Sequence, residues 1–352
     1  MQIFTNSVGN ALNTLIADLG SPKCIVITDV NVDQFVMPIL AQDCELVRTS
    51  PKIMLKSGDE NKNLDELRST WSKLLELQAT RNTLIINIGG GVVSDLGGFA
   101  ASTFKRGMKV INIPTTLLSA VDASVGGKTG INYNGVKNVI GTFSDPEATI
   151  ISTLFFNTLP QQELLSGYAE MIKHALLEDD ATLDDILRYS VVLPEFDSEA
   201  LLGLLEKSVL TKRRICELDP TEKGPRKILN FGHTVGHAFE ALAMKRQSPI
   251  PHGYAVAWGM VVELILSHSV AGFPSERLTK IASYVKENYG SFTLSCNDYP
   301  DLLALMRQDK KNRSDSEINF TLLKAVGQPQ FDTPVDEGQI KAALDIYRDL
   351  FN

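Results

Sequence analysis

The spacing of apolar residues changes character partway along the chain. In the first part, short β-branched runs at 23–29, 84–88 and 109–113 alternate with helical periodicity at 64–77 and 93–103. Strands that alternate with helices are typical of a mainly parallel α/β sheet. From about residue 155 the helical period dominates, with predicted helices at 159–177, 181–189, 198–218, 234–244 and 255–270 and one strand at 318–323. We therefore predict an α/β domain over 1–155 and a helical domain over 156–352, joined at a cleft.

The composition excludes several classes of partner. At 352 residues the chain is long for one core, and its net charge of −8 argues against nucleic acid or an anionic membrane. The four cysteines are scattered without a CxxC pair, and residues 1–6 show no signal segment, so we expect a cytoplasmic protein with reduced thiols. The apolar run 255–270 contains Glu263 and His268, which favours a buried helix over a membrane span.

Histidines are rare in this chain, and three of the five lie close together in sequence. His233 and His237 are four residues apart in a helix-compatible run, so both imidazoles project from one helix face, and His252 follows. Thr234 stands where a His-Glu-x-x-His zinc protease has its general base, which excludes that class. The cluster predicts a catalytic metal site, and helix histidines bonded to backbone carbonyls are the structural alternative.

A carboxylate and an ammonium share one face of the predicted helix 159–177. Glu170 and Lys173 are three residues apart among small and apolar residues, which indicates burial. A buried carboxylate needs a metal or a cation, and Glu170 with His233 and His252 would complete a His₂Glu metal set. An ordinary surface ion pair is the alternative.

Glycines follow the predicted strand 84–88 and open the next helix. Gly89-Gly90-Gly91 would let the backbone approach a phosphate, but Ser94 replaces the third glycine of the G-x-G-x-x-G dinucleotide motif. A dinucleotide in a modified arrangement and a plain tight turn both stay open. The segment 125–129 resembles the end of a P-loop, but Asp122 replaces its first glycine, which excludes an ATP P-loop and leaves Lys128 as a candidate anion contact.

Basic clusters are unexpected in an acidic chain. They lie at 211–214, 223–227 and 309–313, with further cations at Arg106, Lys128 and Lys137. Each cluster alone is typical of a solvated face, but together they could converge on a doubly anionic small molecule.

Seven ordered blocks between Asp29 and Gly327 resemble the 3-dehydroquinate synthase family of sugar-phosphate cyclases. The blocks are 89–99, 114–118 with 121–122, 124–129, 137–138, 169–173, 229–237 and 309–311. The resemblance implies an α/β N-terminal Rossmann-like domain that binds NAD and an all-α C-terminal domain that binds metal and substrate. It also implies a homodimer, with the active site in the cleft between the domains.

The same resemblance implies the reaction and the residues that carry it. The implied substrate is 3-deoxy-D-arabino-heptulosonate 7-phosphate, which would yield 3-dehydroquinate and phosphate through transient oxidation by NAD, phosphate elimination, re-reduction and aldol closure. The implied ligands of Zn²⁺ or Co²⁺ are Glu170, His233 and His252, with His237 as a proton-handling neighbour rather than a ligand. The implied substrate contacts are Asp122, Lys128, Asn138, Lys173, Lys212, Arg226, Asn230, His237 and Lys310, with Arg106 from the partner subunit. The implied NAD contacts are Asp29, Asn31, Asp59, Lys62, Gly91, Val92, Asp95, Thr115, Thr116, Lys137 and Thr158.

Two departures and three rival functions accompany this interpretation. The family usually has Gly-Glu-x-x-Lys near the NAD ribose, where this chain has the shorter Asp59, and Tyr254 replaces a Glu that often follows the metal-site His-Gly. The rivals are a metal-dependent polyol or glycerol dehydrogenase, a sister sugar-phosphate cyclase and a non-catalytic scaffold. Lys212, Asn230, His237 and Lys310 follow the dehydroquinate pattern, and no metal or anion ligand is missing.

Overall fold

Six parallel strands form the centre of the first part of the chain. The computed structural model describes residues 1–192, 196–307 and 318–351. The sheet order is β1 (Gln2–Phe4), β8 (Ala148–Ile151), β5 (Lys109–Pro114), β4 (Leu84–Gly89), β2 (Cys24–Asp29) and β3 (Lys52–Leu55). The helices of this part are α1 (Val8–Asp18), α2 (Val30–Phe35), α3 (Met37–Asp43), α4 (Glu45–Thr49), α5 (Leu64–Glu76) and α6 (Gly91–Thr103). A separate antiparallel hairpin pairs β6 (Lys128–Tyr133) with β7 (Val136–Phe143).

Both faces of the parallel sheet are covered by apolar side chains. Val26 and Ile86 belong to the core on one face, whereas Ile25, Ile27 and Ile85 belong to the core on the other. Successive strand residues point to opposite faces, so a strand buried on both sides needs a continuous apolar run. This requirement explains the unbroken β-branched runs, and the predicted strands at 23–29, 84–88 and 109–113 are confirmed within a residue.

In the described residues, the second part of the chain is helical around a two-stranded pair. Its helices are α7 (Gln161–Glu178), α8 (Asp180–Arg188), α9 (Ser198–Leu218), α10 (His233–Lys245), α11 (His252–Leu266), α12 (Ser275–Tyr289), α13 (Tyr299–Arg307) and α14 (Glu337–Phe351). The antiparallel pair is β9 (Ile318–Leu323) with β10 (Pro329–Val335). The chain divides into two compact units, Met1–Pro160 with Leu193–Val209, and Gln161–Val192 with Leu210–Asn352.

The apolar run that begins in α11 is a core element. The segment His252–Ala271 is long and apolar enough for a membrane span, yet 72% of its most apolar window is buried inside the protein. Glu263, within that run, is fully buried. Burial by the protein's own side chains is what a core helix requires. The cysteines Cys24, Cys44, Cys216 and Cys296 are all free thiols.

Candidate active site

The carboxyl ends of β2, β4 and β5 place three predicted nucleotide segments along one edge of the sheet. Asp29 ends β2, Gly89 ends β4 just before α6, and Thr115 and Thr116 follow β5. Ligands of open parallel sheets bind at this edge. Asp29 Oδ1 accepts hydrogen bonds from the backbone amides of Asn31 (2.9 Å) and Val32 (3.1 Å), so it caps α2.

The start of α6 is open enough for a close backbone approach. Gly90 is its N-cap, and Gly91 and Val92 form its first turn, where both are partly exposed. A Cβ added to Gly90 would lie 3.2 Å from the Thr116 methyl group, so glycine is the residue that fits here without displacing Thr116. Amides at a helix N-terminus favour an anion such as a pyrophosphate.

A cluster of charged side chains lies beside the N-terminus of α6. Lys62 is buried, and its Nζ lies 3.1 Å from Asp95 Oδ2 and 3.3 Å from Asp59 Oδ1. Burial raises the pKa of Asp95 to about 6, with Asp122 and Asp59 adding to the rise and Lys62 opposing it. Burial also acts on Asp59, but Lys62 and Lys137 outweigh it and lower the pKa of that carboxyl. Attraction between opposite, partly buried charges therefore holds four of the predicted residues together: Asp59, Lys62, Asp95 and Lys137.

The other predicted residues of the first unit lie on the hairpin, on loops or in short helical turns. Asp122 is in the π-helical turn Ser119–Ala123, Lys128 begins β6, and Lys137 and Asn138 lie on the exposed strand β7. Thr158 closes the 3-10 turn Phe156–Thr158. Arg106 is exposed, with a left-handed φ of 68°.

Three imidazoles converge in the second unit. His233, His237 and His252 each offer a ring nitrogen within 4.8 Å of the others. His233 and His237 lie one turn apart in α10, as predicted from their spacing, and His252 is the first residue of α11. Glu170, on α7, turns Oε1 toward two of them, 3.4 Å from His233 Nε2 and 3.9 Å from His252 Nε2.

The electrostatics of Glu170 match those of a metal-binding carboxylate. The residue is fully buried, and neither carboxylate oxygen has a partner with hydrogen-bond geometry among the described residues. Burial raises its pKa, but the ion-paired Lys173 ammonium and His233 outweigh burial and hold the pKa well below the ordinary value. Burial, reinforced by Lys173, lowers the pKa of His233 and favours the neutral ring that a metal requires. A buried carboxylate beside clustered imidazole rings fits Zn²⁺ or Co²⁺.

Second partners orient two of these histidines. His233 Nδ1 lies 3.1 Å from the Phe231 carbonyl oxygen, and His252 Nδ1 lies 3.3 Å from Glu240 Oε2. With the proton on Nδ1 in each ring, Nε2 carries the lone pair and faces Glu170. Sequence reasoning missed Glu240, although a carboxylate on the mainly apolar α10 was a usable signal.

Helices α10 and α11 cross at van der Waals distance through glycines. A Cβ on Gly259 would lie 2.2 Å from the Gly232 carbonyl oxygen and 2.6 Å from the Gly236 amide nitrogen. The buried Glu263 of α11 also accepts hydrogen bonds from the amides of Gly232 (2.6 Å) and Val235 (3.1 Å) and so caps α10. The spacing between the histidines on the two helices is therefore set by backbone contact and a carboxylate cap.

The predicted anion contacts of the second unit are buried or partly buried. Arg226 and Asn230 lie in the 3-10 helix Pro225–Asn230, immediately before α10, and Lys212 is buried in α9. Asp219 accepts hydrogen bonds from the amides of Lys223 and Gly224 and so folds the preceding loop, which sequence reasoning did not single out. Lys310 and the neighbouring Lys311 lie outside the described residues.

Comparison with known proteins identifies the family. The N-terminal model of 3-dehydroquinate synthase matches residues 52–166, and the C-terminal model matches residues 167–312. A curated 3-dehydroquinate synthase from Parabacteroides distasonis is 43% identical over 99% of this chain and 98% of its own length.

The chain belongs to the 3-dehydroquinate synthase family.

Solved structures agree with this family at the level of the fold. A 2-epi-5-epi-valiolone synthase from Streptomyces hygroscopicus subsp. jinggangensis, with NAD⁺ and Zn²⁺ bound, has a TM-score of 0.85 at 23% identity and covers 99% of this chain and 96% of its own. A 2-deoxy-scyllo-inosose synthase, in complex with carbaglucose-6-phosphate, NAD⁺ and Co²⁺, has a TM-score of 0.79 at 23% identity, covering 96% and 94%. The Rossmann-like and helical fold class is confirmed.

Proposed function

We propose that this member of the 3-dehydroquinate synthase family converts 3-deoxy-D-arabino-heptulosonate 7-phosphate to 3-dehydroquinate and phosphate, as a cytoplasmic lyase dependent on NAD and a divalent metal. The observation that carries the proposal is the family match along the whole chain, combined with the buried Glu170 and three histidines in one cluster. The structural relatives with NAD⁺ and Zn²⁺ or Co²⁺ support the same cofactors here.

We assign Glu170, His233 and His252 as the metal ligands. When bound, NAD would accept and return a hydride, and the metal would polarise a substrate hydroxyl as a Lewis acid. Glu170 supplies the negative charge and the His233 and His252 rings supply nitrogen, with Lys173 limiting the excess charge at the carboxylate. His237 is exposed on the same helix face and holds or releases a proton next to the bound substrate.

The remaining assigned residues bind and orient the substrate. Lys212 and Arg226 are buried cations on α9 and before α10, and they suit the carboxylate and phosphate of a doubly anionic sugar acid. Asp122, Lys128 and Asn138 are the substrate contacts assigned to the first unit, and Lys310 is assigned to the second. Holding one substrate in a fixed geometry serves each of the successive steps.

The decisive assay measures phosphate release from the heptulosonate phosphate with NAD at a concentration far below that of substrate. We expect product in excess of NAD and no steady rise in NADH absorbance. Stoichiometric NADH formation would assign the protein to the dehydrogenases instead. His233→Ala is expected to lose bound metal and activity together, and full activity of a metal-free preparation would contradict the ligand assignment.

A further inference from the structure

Asn132 lies at a break in the β6–β7 hairpin. Ile131 pairs with Ile140 and Tyr133 pairs with Val136, so three residues of β7, 137–139, lie opposite the single β6 residue Asn132. A bulge of this kind bends its strand and redirects the side chains that it contains. Lys137 and Asn138, assigned above to NAD and to substrate, are therefore presented by an irregular segment whose shape needs its own support.

One side of the Asn132 amide supports that segment. Its Oδ1 accepts a hydrogen bond of 2.9 Å from the backbone amide of Asn138. Asn138 has a φ of 50°, in the left-handed region that is unfavourable for residues other than glycine, although asparagine tolerates it best. The bond from Asn132 takes the place of the ladder contact that the bulge removes, and it holds Asn138 in this conformation.

The other side of the same amide reaches the 3-10 turn that precedes α5. Asn132 Nδ2 donates to the Asp59 carbonyl oxygen at 2.9 Å and to Asp59 Oδ2 at 3.1 Å. The Asn132 backbone amide donates to the Lys62 carbonyl oxygen at 2.8 Å. Asp59 Oδ2 also lies 3.7 Å from Lys137 Nζ, which adds an ionic contact between the turn and the bulge.

We propose that Asn132 is a positioning residue that couples the nucleotide side of the site to the substrate side. Its amide connects Asp59 and Lys62, which neighbour Asp95 at the start of α6, to the backbone of Asn138. Asp59, the residue that departs from the family's usual glutamate, is the partner through which this connection runs. The inference rests on the proposed function, because it takes Asp59 and Lys62 as NAD contacts and Asn138 as a substrate contact.

Two substitutions at Asn132 distinguish its contact with Asp59, on the nucleotide side, from its contact with Asn138, on the substrate side. Asn132→Ala removes the hydrogen bonds of the side chain on both sides, so the Kd for NAD and the KM for substrate are each expected to rise about 10-fold. Asn132→Asp keeps an oxygen for the Asn138 amide but sets a carboxylate against Asp59. It is expected to weaken NAD binding about 10-fold while the substrate KM stays within about 2-fold of wild type.

Asn134→Gly is the matched control, because Asn134 is exposed in the same hairpin turn with a φ of 49° that glycine adopts freely. It is expected to leave both constants unchanged. The inference is overturned if Asn132→Ala changes neither constant, or if Asn132→Asp raises both equally, as general loosening of the hairpin would. NAD binding is measured by calorimetry without substrate. Absence of phosphate release by the wild-type protein would therefore refute the proposed function, while the NAD arm still tests Asn132.

Discussion

At the scale of single residues, the proposed metal site depends on which nitrogen of each histidine carries its proton. His233 and His252 each have an Nδ1 partner, a backbone carbonyl for one and Glu240 for the other. Both rings thereby turn Nε2 toward Glu170. Spacing along a helix can predict that two imidazoles share a face, but their tautomers depend on partners from other parts of the fold.

Glu240→Ala should weaken metal binding without unfolding the protein. The substitution removes the carboxylate on His252 Nδ1, and loss of such an outer partner typically costs about 10- to 100-fold in metal affinity. Glu240→Gln keeps an acceptor oxygen and should cost less. Competition with a chromophoric chelator measures the affinities, and Glu217→Ala, an exposed carboxylate on α9, is the control. Equal metal affinity in wild type and Glu240→Ala would rule out this role.

Lys212→Met should reduce turnover of the heptulosonate phosphate and leave metal content intact. A charge-assisted bond to a buried anion is worth roughly 1.5–3 kcal/mol, so kcat/KM should fall about 10- to 150-fold. Lys207→Met, an exposed lysine in the same helix, should have little effect. An unchanged kcat/KM in Lys212→Met would show that the substrate assignment rests on the wrong lysine.

At the scale of elements, the crossing of α10 and α11 explains why particular positions must be glycine. Periodicity predicted the helices at 234–244 and 255–270 from their apolar positions, and both are present at His233–Lys245 and His252–Leu266. The short strands β1, β3 and β8, the hairpin and β10 were not predicted. β1, β3 and β8 have three or four residues, which carry too few alternations to be distinguished from loops. Most of β7 is exposed, so no buried face imposes an apolar and polar alternation on it.

Gly259→Ala should destabilise the second unit and loosen the metal site together. Its Cβ would overlap backbone atoms of Gly232 and Gly236, which cannot rotate away, so the helices must separate. We expect a loss of about 1–3 kcal/mol in the free energy of unfolding, measured with urea, and weaker metal binding.

Gly203→Ala is the matched control, because nothing lies close to a Cβ at that position in α9. Alanine there should leave stability unchanged or raise it by up to about 1 kcal/mol. If the two alanine variants behaved alike, close packing at Gly259 would not be the cause.

At the scale of the whole molecule, we predict a homodimer in which Arg106 reaches the active site of the partner subunit, and this arrangement can be tested quantitatively. Arg106→Ala and His233→Ala should each be inactive alone. In a mixed dimer, one site would keep its metal ligands and receive Arg106 from the other subunit. Random mixing should therefore restore about a quarter of wild-type activity, given closed two-fold symmetry.

The restored activity should appear only after subunits exchange, as followed with two distinguishable affinity tags. Inactive mixed dimers would place Arg106 in the site of its own subunit, whereas activity of Arg106→Ala alone would place Arg106 outside the site. Arg106→Ala mixed with wild type is the control, because subunit exchange in that mixture should leave the total activity unchanged.

The sequence by itself determined the fold class and the family, and it supplied the candidate residues whose roles are proposed above. The period of the apolar residues, the glycines at strand ends and the spacing of the histidines are properties of short segments. Local backbone geometry therefore suffices to predict helices, strands and the helix face that carries the histidines. The tertiary structure decided which groups meet. Glu240 on His252, Glu263 on the start of α10 and Asn132 between Asp59 and Asn138 each join residues that are at least six positions apart. Such contacts depend on helix crossings and strand register, which no local pattern encodes.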